Sequence, residues 1–367
     1  MRVAVVDPPA YTPPYDHSLC AALARRGLDV ALETSRFRYG PVPPEEGYRR
    51  VERFYRWAPG SAALKAAQHP FDMLGLAADL RRTERRPVHF QWLPVRALDA
   101  HLVRRFRGPL VLTAHEVLPR RARGLVKAMD AVVVHTRTGR ERLLHELGAA
   151  PEKVHVIPHG AFEYLARQRD EAAIDSRAGD LDGRRVVLFF GLLRPYKGID
   201  VLIEAFAATP PDAVLLVVGM PRMPLEPLER LARNLGIGDR VRFIPRFVAD
   251  PEIPAYFRRA DLVVLPYRSI EHSGVLFTAL AFGSPLILSA VGGFVEVATQ
   301  HGAARLVEPG NAESLRAGIV ELLQDSDERA RLAAAARAAA AGHYSWERAA
   351  ELTEALYRSL SEGAHRG

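Results

Sequence analysis

Between Leu188 and Phe206 the chain reads LFFGLLRPYKGIDVLIEAF, an order that leaves few ways to fold. The apolar run Val186–Phe190 reads as a buried strand that stops at Gly191. A loop carrying Arg194, Lys197 and Gly198 follows, and an amphipathic helix begins with Asp200 near its start. Strand, glycine, cationic loop and helix start together make a socket for phosphate. The glycines admit backbone shapes and close approaches that a Cβ obstructs, and the helix turns its free N–H groups and positive dipole end toward the loop. Arg194 and Lys197 add two charges, enough to hold a diphosphate without a metal. The string also serves as a tight turn with two solvated cations, and on this segment alone the two readings stand level.

Composition narrows the setting. A chain of 367 residues, 48% hydrophobic and 25% charged, suits two well-cored globular domains. Met1-Arg2 runs straight into an apolar strand with no leader pattern, and no apolar run reaches the length of a membrane span. The single cysteine, Cys20, has no internal partner and reads as helix core. These features lead us to expect a cytoplasmic protein. The net charge of +7 and pI near 9.7 come from arginine spread along the chain without interleaved aromatics, so no nucleic-acid partner is expected. One denser cluster, Arg104, Arg105, Arg107, Arg120, Arg121, Arg123 and Lys127, suits peripheral contact with the inner face of a membrane, or simply a solvated face.

Short apolar runs alternate with helical segments throughout. Strands are expected at Val3–Asp7, Asp29–Glu33, Pro87–Trp92, Leu110–Ala114, Ala131–His135 and Val154–Pro158, with a helix His17–Arg26 capped by Asp16. The polar stretch 166–185 reads as a linker. The rhythm then restarts at Val186–Phe190, Ala213–Val218, Val241–Ile244, Leu262–Leu265, Pro285–Leu288 and Ala304–Val307. The expected architecture is α/β, with two Rossmann-like doubly wound domains facing across a cleft. Residues 1–175 form the first domain, 176–345 the second, and the helix 346–367 packs back toward the first. Ligands of such sheets sit outside the carboxyl ends of the strands.

A second constellation follows the first, ADLVVLPYRSIEHSGVLFTALAFGSPLILSAVGG. A buried strand ends at Pro266, a polar loop crosses, and a helix starts at Ser273-Gly274 with Ser273 as a candidate N-cap. This helix start is a second anion site, and the pair of sites favours a nucleoside diphosphate ligand. No HExxH or CxxC spacing is present, so neither a metal nor another cofactor is expected.

At this point the sequence resembles the GT-B glycosyltransferases, specifically glycosyltransferase family 4. The resemblance rests on FFGLLRPYKGID, LLVVGMP, SGVLFTALAFGSPLILSAVGGFVEV and LVEPGNAESLRAGIVELLQD in the second half. In the first half it rests on VHFQWLPV, VLTAHEVLP, AVVVHTRTGRERL and KVHVIPHGAF. It implies retaining, metal-independent transfer of a hexosyl unit from a nucleotide-diphosphate sugar to a glycan, lipid-linked or small-molecule acceptor. Carried over residue by residue, it puts His115 beside the reaction centre and Arg194 and Lys197 on the leaving diphosphate. Gly191, Ser273, Gly274 and Val275 would line the donor site. On the acceptor side stand Tyr11, Tyr15, His17, Trp92 and Glu116; Phe90 reads as core and His159 as a structural turn residue.

The chain departs from the family pattern. Two glutamates eight positions apart usually grip the donor sugar and ribose, but here those positions hold Ile270 and Thr278. Glu271 lies one residue from the first, and Thr278 offers the ribose only a hydroxyl. Leu192 stands where an arginine often follows the first glycine, and PPAYTPPYD replaces a glycine pair after the first strand. Two rival functions remain at this level, a nucleotide-sugar epimerase or hydrolase of the same fold and a non-catalytic nucleotide-sugar-binding protein. Base, sugar and acceptor are not legible.

Overall fold

The computed structural model describes residues 1–57, 60–116, 118–169, 172–270 and 272–363. It divides into two compact units, Met1–Gly160 with Ser345–Gly367, and Ala161–Tyr344.

The first unit holds seven strands: β1 (Arg2–Asp7), β2 (Asp29–Ser35), β3 (Arg49–Phe54), β4 (Val88–Phe90), β5 (Leu110–Thr113), β6 (Ala131–Val134) and β7 (Val154–Val156). They pair in parallel in the order β3-β2-β1-β4-β5-β6-β7. Inner strands such as β5 and β6 are buried throughout and apolar but for Thr113, as a sheet covered on both faces requires. The chain order reverses between β1 and β4, which is where doubly wound sheets bind ligands.

Three features differ from expectation. The first helix begins at Pro13 rather than His17, because proline suits a first helical turn; Asp16 therefore lies inside the helix, buried, and does not cap it. The edge strand β3, RRVERF, and the helix Ala62–Arg81 that follows it were not anticipated. Cys20 is buried in the first helix, as expected.

The helix Trp346–Gly363 belongs to this first unit. Its Tyr357 hydroxyl meets His89 Nδ1 at 2.6 Å, and Arg26 donates to Glu354 at 2.6 Å. A Cβ on Gly160 would lie 2.4 Å from the Trp346 ring, so only glycine admits that contact.

The second unit holds β8 (Arg185–Phe190), β9 (Ala213–Val218), β10 (Val241–Ile244), β11 (Leu262–Leu265), β12 (Leu286–Ser289) and β13 (Arg305–Val307). Their parallel order, β10-β9-β8-β11-β12-β13, reverses between β8 and β11. All six apolar runs named from the sequence are strands. The segment after Gly160, expected in the first domain, packs with this unit. Phe162 N–H donates to Phe277 O, Tyr164 donates to Asp250, and Arg258 donates to the Ala166 and Gln168 carbonyls.

Candidate active site

In the second unit the loops after β8 and β11 lie at the point where strand order reverses. Gly191 has φ +104°, and a Cβ there would lie 2.8 Å from Val275 Cγ2 and 3.2 Å from Lys197 Nζ. Gly198 has φ +66°, and its Cβ would strike the Pro266 carbonyl at 2.1 Å. Both positions therefore need glycine for conformation and for space. The two loops are tied together by Arg268. Its guanidinium donates to Asp200 at 2.9 and 2.7 Å and to Pro195 O at 3.0 Å, and its own N–H donates to Tyr196 O at 2.8 Å. This bidentate pair lowers the Asp200 pKa against the opposing effect of burial.

Lys197 is buried at 6% exposure, with Nζ 4.8 Å from the Tyr267 ring centroid and 5.9 Å from that of Phe189. Burial, with the Arg194 charge a lesser cause, brings its pKa down to about 8. A lysine held among aromatic rings with no carboxylate partner among the described residues is poised for an anion. Arg194 is half-buried at the start of the turn Pro195–Lys197.

The helix Gly274–Phe282 starts where expected, with Ser273 at the N-cap position. The Ser273 side chain makes no capping hydrogen bond, so the cap differs from the one anticipated. Thr278 is buried and donates its hydroxyl to Gly274 O at 3.0 Å, spending its hydrogen within the helix. Glu271 lies outside the described residues.

In the first unit His115 follows β5, with Gln91 and Trp92 following β4 and Tyr11 in the loop after β1. His115 Nε2 meets Gln91 Oε1 at 2.9 Å, and Nδ1 lies 3.4 Å from His135 Nε2. The His115 ring stacks on Trp92 at 5.1 Å, and Tyr11 packs on the same indole at 4.7 Å. The indole N–H donates to Thr12 Oγ1 at 3.0 Å, so the loop after β1 holds Trp92 in place. Burial lowers the pKa of His135 to about 4 and keeps that imidazole neutral.

The other acceptor-side expectations divide. Tyr11 is exposed and Trp92 half-buried, but Tyr15 is buried beneath His115, His135, His159 and Trp346. His17 is also interior, meeting Tyr48 at 3.1 Å, and burial pulls its pKa to about 4. Glu116 is paired with Arg96. Phe90 is fully buried core, and His159 holds the Gly160 carbonyl at 2.7 Å. Sequence reasoning missed Arg268 and Tyr267 as site residues; the adjacent pair after β11 is the only local signal for them.

Comparison with known proteins gives this geometry a lineage. The model of the Glycosyltransferase Family 4 matches residues 15–161, and that of the Glycosyl transferases group 1 matches 171–339. The D-inositol 3-phosphate glycosyltransferase of Nocardia farcinica is 30% identical, over 94% of this chain and 84% of its own length. The enzyme 1 of that name from Catenulispora acidiphila is 31% identical over 65% of this chain, and the match spans 59% of that relative. Among solved structures, the sucrose-phosphate synthase of Thermosynechococcus elongatus superposes with TM-score 0.77 at 21% identity, covering 98% of this chain and 99% of that one. Anabaena Alr3699/HepE, solved in complex with UDP and glucose, superposes with TM-score 0.75 at 19% identity, covering 98% and 100%. With both halves matched by the family models and nearly its whole length by the Nocardia relative, the chain belongs to glycosyltransferase family 4 and has the GT-B fold of two Rossmann-like units.

Proposed function

We propose that the protein is a retaining, metal-independent glycosyltransferase that moves a sugar from a nucleotide-diphosphate sugar to an acceptor hydroxyl. The observation that carries this reading is the buried Lys197, without a carboxylate partner among the described residues, beside Gly191, whose added Cβ would also meet Val275 of the helix Gly274–Phe282. As the bond between the sugar and the diphosphate breaks, negative charge grows on the leaving phosphate oxygens. Lys197, Arg194 and the helix N–H groups favour that charge more in the transition state than in the ground state. His115 is assigned to the sugar-facing side, with Trp92 and Gln91 fixing its ring. The hydroxyl of Thr278, already donating within its helix, keeps only acceptor capacity for a ribose hydroxyl. That places more of the donor's grip on the diphosphate contacts.

The relatives named for D-inositol 3-phosphate support a small-molecule hydroxyl acceptor as the first to test. Transfer assays with UDP-, GDP- and ADP-sugars, run with and without a chelator, test the proposal. Lys197→Ala is expected to lower transfer at least about tenfold with the fold intact. Wild-type rates in that variant, or dependence on a divalent cation, contradict the corresponding part of the reading. Donor turnover without an acceptor would favour an epimerase or hydrolase instead.

A further inference from the structure

Away from the residues assigned to transfer, the first unit holds a cavity of about 430 Å³. It opens where β2 and the edge strand β3 end, since Ser35 and Phe54, the last residues of those strands, line it. Arg36 and Arg38 reach it from the chain after β2, Arg56 from the turn after β3, and Lys65 from the helix Ala62–Arg81. These four cations share the cavity with one carboxylate, Glu52. Among the described residues none of the four is ion-paired, and Arg56 donates only to the Glu52 carbonyl, at 2.7 Å.

An unused donor lies in the same wall. Ser35 is only 5% exposed, and its hydroxyl has no hydrogen-bond partner among the described residues. A buried hydroxyl left without a partner is costly until a ligand or a water takes its hydrogen. In a cavity lined by arginine and lysine, the oxygen of an anion is the acceptor that fits.

The seat of Lys65 is fixed from beneath. Its Nζ lies 5.2 Å from the Tyr55 ring centroid. Tyr55 is held at a φ of +57°, a conformation that costs a bulky side chain. Its N–H donates to Asp72 at 2.8 Å, and its hydroxyl meets His69 Nδ1 at 2.8 Å. His69 Nε2 in turn meets Asp99 at 2.6 Å, both side chains being fully buried. The lysine is thus placed before any ligand arrives, which spares the ordering cost of binding. Burial, with the Arg38 charge a lesser cause, lowers the Lys65 pKa, in keeping with cations gathered around too few anions.

We propose that this cavity binds the phosphoryl group of a soluble phosphate monoester, as a ligand separate from the donor diphosphate and from the acceptor. A phosphomonoester brings nearly two negative charges at neutral pH and three acceptor oxygens. Guanidinium forks take such oxygens in pairs, and a lysine adds a point charge. A carboxylate ligand offers less charge and fewer oxygens to the same four cations. Glu52, which when ionised only accepts, suits a hydroxyl on the organic part of the ester. Position sets this ligand apart from the acceptor. His115 follows β5, which lies three strands from β2 and four from β3, roughly 14–19 Å at about 4.8 Å per strand. One sugar ring does not span that distance, so a small acceptor reacting beside His115 cannot place its own phosphate here.

Isothermal titration of glycerol 3-phosphate into the full chain, with and without excess UDP, tests the proposal; glycerol serves as the neutral comparison. The ester is expected to bind one site per chain, more weakly at high salt and equally well beside UDP, whereas glycerol does not bind. Arg38→Gln with Lys65→Gln should weaken the ester at least about tenfold, and Ser35→Ala several-fold. Arg38 is exposed, Lys65 half-buried and the Ser35 hydroxyl unpartnered, so the unfolding temperature without ligand should stay close to wild type. Lys197→Met should bind the ester as wild type does, and so should Arg104→Gln with Arg105→Gln, which removes as much charge elsewhere in the same unit. No binding, or wild-type affinity in the cavity variants, overturns the proposal. Competition by UDP, or loss of binding in Lys197→Met, overturns it too, by assigning the ester to the diphosphate socket. None of the variant readouts depends on sugar transfer, so they stand even if the protein transfers no sugar.

Discussion

The Lys197 ammonium stands 4.8 Å from the centroid of the Tyr267 ring. Burial in this setting brings its pKa to about 8, against 10.5 in the open chain. Between these values the unfolded chain binds more protons than the folded one, so this group makes stability rise with pH. Anion binding runs the other way, because it needs the charged amine. Affinity for a nucleoside diphosphate is therefore expected to fall as pH rises through about 8, while the unfolding temperature does not fall on this account. Titrations on either side of that pH, paired with thermal unfolding, check both signs.

Gly191 lets Lys197 and the helix start approach one another. Gly191→Ala would place a methyl 2.8 Å from Val275 Cγ2, at a φ of +104°. We expect a stability loss of about 1–3 kcal/mol together with loss of nucleotide binding. Chemical denaturation measures the first and calorimetry the second. Unaltered binding would show that the close approach is not part of the site.

The Arg268–Asp200 pair is part-exposed on both sides, so its direct contribution to stability is about 1 kcal/mol or less. Its larger effect is on the alignment of two loops. Arg268→Lys keeps the charge but loses the bidentate geometry. It should weaken nucleotide binding several-fold while moving the unfolding temperature little. A variant that binds as wild type does would assign the pair to the surface alone.

How much of this was legible in the sequence follows from what each element needs. The inner strands of the second unit, β8, β9, β11 and β12, are apolar and buried over nearly their whole length because both faces are covered, and each is visible as a run. The strand Arg49–Phe54 sits at a sheet edge and alternates arginine, valine and glutamate, so no run announces it. Asp16 resembled a cap by type and position, but Pro13 and Pro14 start the helix earlier and bury it. The glycine and cation positions of the socket were readable because local backbone shape demands them. The Arg268–Asp200 tie was not, since it joins residues 68 positions apart in sequence. The same holds for the Tyr267 ring beside Lys197.

Asp7 and Asp16 are both buried, and the Asp7 charge raises the cost of ionising Asp16, while the Asp16 side chain eases the ionisation of Asp7 against its burial. Burial first of all pushes Asp7 up to about 6 and Asp16 well above its ordinary range. The folded chain thus holds more protons than the unfolded chain between about pH 4 and 6, and stability falls as pH rises through that window. Asp16→Asn removes one ionisable group and leaves an N–H donor for Asp7. It is expected to flatten this dependence and raise the unfolding temperature at neutral pH. An unchanged pH profile would contradict the shared burial cost.

The central claim is that the loops after β8 and β11 hold a diphosphate through Lys197. Isothermal titration of UDP, GDP and ADP into the wild type and Lys197→Met tests it most directly. At least one nucleoside diphosphate is expected to bind the wild type, and the variant to bind it at least about tenfold more weakly, about 1.4 kcal/mol or more. Equal affinity in a folded variant, or no binding of any of the three to the wild type, would contradict it.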